Sequence, residues 1–111
     1  MEATSIAASP GIPQHMQALA RANRVRLARA EVKRAISKGE VSVAEVVMRN
    51  PEELETMTVA ELLRCQRHWG RTRTRHLLDS LDLSEVRTVG RLTERQRLAL
   101  AAALDSGTRL N

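Results

Sequence analysis

Trp69 is the sole aromatic side chain of this sequence, which has neither Phe nor Tyr. That scarcity restricts the fold more than any other feature. Strands draw on Val, Ile, Thr, Tyr, Phe and Trp in runs of period two. Here Ala, Leu, Arg and Glu dominate, and all four favour helix. The most strand-like stretch, residues 40–48, reads better as a capped helix. The expected fold class is all-α. At 111 residues the chain has room for one modest core with tails.

Local signals divide the chain. Residues 1–14 contain Pro10, Gly11 and Pro13 without apolar periodicity, and are expected to be a flexible tail. From Gln14 to Lys38 nothing interrupts a helix, and Val25, Ala28, Val32, Ala35 and Ile36 form a thin small-residue stripe. Gly39 is the expected stop, a left-handed glycine after a basic last turn. A stripe this weak predicts that at least half of the helix projects from the body or is ordered by a partner. Ser42-Val-Ala-Glu45, Thr58-Val-Ala-Glu61 and Thr93-Glu-Arg-Gln96 are capping boxes. They predict helices over 43–49, 59–67 and from 94 to about 105–107. Pro51 opens an acidic turn. A further helix over about 71–81 turns Thr74, Leu77, Leu78 and Leu81 inward. The expected organisation is a tail (1–14), a basic helix (15–39) and a domain of short helices (40–111).

Charge is unevenly placed along this frame. The sequence carries 18 Lys+Arg against 13 Asp+Glu, and only Lys33 and Lys38 are lysine. Residues 21–38 hold Arg21, Arg24, Arg26, Arg29, Lys33, Arg34 and Lys38, opposed by Glu31. Solvated helix faces usually interleave acids and bases at i,i+4; this one tolerates self-repulsion that a polyanion relieves. A membrane-surface helix needs Trp, Phe or Leu opposite its charges, and Leu19, Val25 and Leu27 are too sparse. Nucleic acid is the better partner, since arginine contacts phosphate in bidentate fashion.

The second cluster is sharper. Residues 64–76 contain Arg64, Arg67, Arg71, Arg73 and Arg75, with His68 and His76 and no acid. Gly70 falls where one helix ends and another begins. A glycine there lets a phosphate approach the backbone, and the new helix presents unpaired N–H groups and its positive dipole end. Thr72 adds a hydroxyl, while Arg71, Arg73 and Arg75 supply charge-assisted bonds. The plain alternative makes Gly70 a helix C-cap with solvated arginines around it. Arg87, Arg91, Arg95 and Arg97 form a third group, and acids gather at 52–61 and 79–85. The expected result is a basic face and an acidic back.

Other chemistries find no footing. One cysteine and three histidines cannot make a four-ligand zinc site, and no metal or cofactor is expected. No carboxylate pair falls in a plausible pocket, no Cys–His arrangement has local context and no glycine-rich motif of the nucleotide-hydrolase type is present, so no enzyme is expected. No apolar run approaches a membrane span, and the start lacks the features of a secretory signal. A cytoplasmic protein is the expectation. Trp69 is read as a packing residue rather than a base-stacking one, and Cys65 as a small buried hydrophobe.

The run Arg24-Val-Arg-Leu-Ala-Arg-Ala-Glu-Val-Lys33 is similar to the basic first helix of the actinobacterial integration host factors. Met57-Thr-Val-Ala-Glu-Leu-Leu63, Gly70-Arg-Thr-Arg73 and Arg95-Gln-Arg97 follow in that family's order. The resemblance spans about residues 20–104. It implies a long basic N-terminal helix and a helix-two-turn-helix domain, a module shared with a small-subunit ribosomal protein and some repair glycosylases. It implies a monomeric, nucleoid-associated protein that binds double-stranded DNA with little sequence preference, bends or condenses it and can assist a phage integrase in recombination. Carried over residue by residue, the phosphate grip falls on Gly70, Arg71 and Arg73, and a second contact on Arg87 and Arg91. With the basic helix included, the expected contacts extend to Thr72, Arg75, Arg24, Arg26, Arg29 and Lys33. The chain departs from the family at Arg67-His68-Trp69, where Pro-Lys-Val is usual, and at Thr88 and Gly90, where arginines are usual. An RNA-binding component of ribosomal type is the alternative, because the same module grips phosphates of either polymer.

Overall fold

Side-chain caps set most of the element order. The computed structural model describes residues 13–110, so the tail expected over 1–14 lies, up to residue 12, outside the described residues. Helix α1 spans Gln14–Ser37, α2 Val43–Arg49, α3 Val59–Arg64, α4 Arg71–Ser80 and α5 Glu94–Leu110, with 3-10 turns at Glu52–Leu54 and Val89–Arg91. The fold is all-α. Among the described residues the only β-type pairing is an isolated antiparallel bridge between Thr58 and Thr88.

The Ser42 box is complete: Ser42 Oγ accepts from the Glu45 N–H at 3.1 Å, and the Glu45 carboxylate accepts from the Ser42 N–H at 3.1 Å. The Thr93 box closes the same way with Gln96. At Thr58 only half of it forms. Thr58 Oγ1 accepts from the Glu61 N–H, but the Glu61 carboxylate turns to Lys33 instead. Gly39, at φ +77°, ends α1 as expected, with the N–H of Glu40 donating to Ala35 O at 2.9 Å. Two boundaries differ from expectation. Helix α3 stops at Arg64 rather than running to 67, and α5 continues through Gly107 to Leu110. A glycine inside a helix costs only about 1 kcal/mol relative to alanine, so it does not stop α5.

The core is aliphatic throughout. Leu54, Met57, Leu62, Leu63, Leu78 and Leu100 are completely enclosed, with Val43, Val47, Val59 and Val89 between them. Helix α2 packs along α5 and α3 against α4, while α1 rests on the Glu52–Leu54 turn. The α1 stripe faces inward as predicted: Val25, Ala28, Val32 and Ala35 are partly buried and Ile36 is buried, with Val32 and Ile36 reaching the core. Residues 14–24 are exposed all round. The molecule therefore measures 57 × 26 × 21 Å with a radius of gyration of 17.2 Å, against about 13 Å for a compact chain of this size. The stretch exposed all round, residues 14–24, is 11 of the 24 residues of α1, just short of the half or more expected to project.

Candidate nucleic-acid interface

The turn between α3 and α4 is where a phosphate can come closest to the backbone. Gly70 is the N-cap of α4 rather than a C-cap, at φ −96° and ψ −168°, and no side chain caps this helix start. A Cβ built on Gly70 would meet nothing within 4 Å. The glycine is thus required neither by its dihedrals nor by a neighbour inside the chain; it leaves free space over the first N–H groups of α4. The left-handed residue of this turn is His68, at φ +68°. Helices α2, α3 and α5 satisfy their first amides with Ser42, Thr58 and Thr93, whereas α4 presents its own to solvent beside exposed Arg71, Thr72 and Arg73.

Arg73 is held over the Trp69 ring with its guanidinium carbon 4.2 Å from the centroid. Trp69 is half-buried and packs on the core with its remaining surface. The single aromatic therefore does the expected packing and also serves as a platform for an arginine. Such a cation–π contact is worth about 0.5–1 kcal/mol at an exposed site, enough to orient Arg73 without consuming its N–H donors.

Arg75 is differently occupied: its Nε donates to Glu85 Oε2 at 2.9 Å. This pair ties the outer face of α4 to the loop leading to Arg87. The Arg87 backbone carbonyl in turn accepts from the Val59 N–H, and the Val89 N–H donates to Met57 O, each at 2.9 Å. The second candidate contact is thereby fixed against the start of α3. Arg97, which the sequence reading left among the third basic group, positions this region. Its guanidinium donates to the carbonyls of Val89 at 3.3 Å and Leu92 at 2.8 Å, steadying the turn that carries exposed Arg91. An arginine one turn inside a helix carries no sequence signal of such a role.

Gly90 explains a departure from the resembling family. A Cβ there would lie 2.6 Å from Glu55 Cβ and 2.9 Å from its carbonyl oxygen, so an arginine cannot occupy that position in this backbone.

The α1 cations separate into two sets. Arg29 donates to Thr56 Oγ1 and Lys33 pairs with Glu61, both bound to the body. Arg24 and Arg26 are exposed, without an ion pair or hydrogen bond from their side chains among the described residues. The charge segregation read from the sequence is therefore less complete in space, because acids at 61 and 85 neutralise Lys33 and Arg75. Burial pushes the Cys65 thiol above its ordinary pKa, and its Sγ donates to Glu61 O at 3.3 Å. Among the described residues no group of His, Cys, Asp or Glu could hold a metal ion, and no helix is long and apolar enough to cross a membrane.

No family model and no curated protein matches the chain. A solved structure does: sIHF bound to an 8-bp palindromic DNA, 28% identical, with a TM-score of 0.67, covering 74% of this chain and 94% of that one. This chain has the IHF-like all-α fold.

Proposed function

We propose that the protein is an architectural duplex-DNA-binding protein of the actinobacterial integration host factor type. It takes the sugar–phosphate backbone through the Gly70 turn with little sequence preference. The observation that carries this reading is the uncapped α4 start, open above Gly70 and flanked by Arg71 and Arg73. Oriented N–H groups and adjacent guanidinium groups together make an anion site. The sIHF structure, which contains DNA, supports the choice of polymer. Arg87 and Arg91, on their braced turn, provide a second phosphate contact, and Arg24 and Arg26 a third along α1. Contacts at separated points on one duplex favour a bent path, which accounts for DNA bending and condensation and for an accessory role beside an integrase. The protein acts as a monomer, associates with the nucleoid and performs no catalysis.

Backbone contacts make binding salt-dependent. With about five phosphates neutralised, log affinity falls against log salt with a slope of roughly −4 to −5. Gel shifts of the wild type and of Arg71→Glu/Arg73→Glu on duplexes of unrelated sequence test the reading. The expected result is a loss of at least about tenfold on every sequence, with the helical circular-dichroism spectrum unchanged. Undiminished binding by the double variant refutes the proposed grip, and preferential competition by structured RNA over duplex DNA redirects it to RNA.

A further inference from the structure

The projecting half of α1 has a second, outward apolar stripe that neither the core nor a phosphate contact uses. At about 100° per residue, Met16, Ala20, Asn23 and Leu27 fall within roughly 60° of one line along the helix, with Leu19 at its edge. That line is opposite the inward stripe of Val25, Val32 and Ile36. Met16, Leu19 and Leu27 are 54%, 65% and 64% exposed. Three such side chains on three turns of one helix form a patch, unlike isolated surface leucines. Arg24 flanks the stripe on one side and Arg26 on the other, and both guanidinium groups are free of partners among the described residues.

We propose that this stripe is a docking surface for an amphipathic helix of a partner protein whose apolar seam is edged by Asp and Glu. Shape and charge both select that occupant. Ala20 and Asn23 make a low centre between the larger Met16, Leu19 and Leu27, into which a crossing helix can settle ridge-into-groove. The flanking arginines, which the proposed DNA grip also uses, complement acidic residues on either side of the incoming seam, so this partner and the duplex compete for them. A second copy of this chain is disfavoured, because two such helices would oppose Arg24 and Arg26 with like charge. Lipid is disfavoured by the small and polar centre of the stripe and the want of Trp or Phe. A contact of three turns is smaller than a standard interface, so the association is weak, with a Kd on the order of micromolar.

The test titrates the full chain into a labelled synthetic peptide helix bearing leucines at i, i+4, i+7 and i+11 with glutamates on both flanks. Companion peptides carry lysine flanks, or serines in place of the leucines. The expected result is binding of the acidic amphipathic peptide alone, weakened at least tenfold by Leu19→Ser/Leu27→Ser. The affinity of that variant for duplex DNA should not change. Absence of binding, or equal binding by the variant, overturns the proposal. So does a loss of DNA binding in the variant, a loss of binding to phosphatidylglycerol vesicles exceeding the loss for peptide, or a wild-type dimer that the variant dissolves. Arg71→Glu/Arg73→Glu and Leu19→Ser/Leu27→Ser share no residue, so failure of the docking surface and failure of the DNA grip are read separately.

Discussion

Gly90 and His68 adopt positions that side-chain chemistry alone would not choose. Gly90 lies so close to Glu55 that any Cβ overlaps backbone atoms, while its N–H donates to Glu55 O at 3.0 Å. Relief requires separating the two segments that carry Thr58 and Thr88. Gly90→Ala should therefore destabilise the protein by about 1–3 kcal/mol, in the range of overpacking, as read from the midpoint of urea unfolding. His68 presents the opposite case. Its φ of +68° strains a branched-off L side chain, whereas glycine enters that region freely. His68→Gly should stabilise the protein by up to about 1 kcal/mol in the same assay. An unchanged or lower midpoint would show that the imidazole compensates for its backbone.

Like α1, which starts uncapped at Pro13, and unlike α2, α3 and α5, helix α4 has no side chain capping its first turn. The N-cap position at Gly70 has room for a side chain and an ordinary φ, so a capping aspartate can be accommodated without strain. An aspartate there accepts from the free N–H groups and favours the positive end of the helix dipole. Gly70→Asp should leave thermal stability equal or slightly raised while lowering DNA affinity at least tenfold, because the carboxylate occupies the space of a phosphate. Parallel melting and gel-shift measurements separate the two effects. If the substitution costs stability but not binding, the Gly70 turn is a structural device and the phosphate site lies elsewhere.

For the whole molecule, the decisive feature is its asymmetry: an aliphatic body with one helix extending beyond it, which makes the molecule 57 Å long. Residues 14–24 are exposed throughout, so their removal takes little from the core. A chain beginning at residue 25 should unfold cooperatively with nearly the wild-type midpoint. Its salt slope on duplex DNA should be shallower by about one unit, reflecting the loss of Arg24. An unaltered slope would mean that residues 14–24 of α1 do not touch the duplex.

Much of this could be read directly from the sequence because helix starts and stops are settled within one turn. Ser42 with Glu45, Thr93 with Gln96 and the left-handed Gly39 all act between neighbours in the chain, and they lie where the pattern put them. The inward leucines and valines follow from helical periodicity in the same way. Tertiary structure decided which cations are free. Lys33 meets Glu61, Arg29 meets Thr56 and Arg75 meets Glu85, pairings between elements that no local pattern encodes. It also decided that Gly90 is enforced by Glu55 and that Arg97 braces the turn of Arg91. The physical reason is range: a cap is a hydrogen bond between residues three apart, whereas an ion pair or a steric limit depends on which distant segments the core brings into contact.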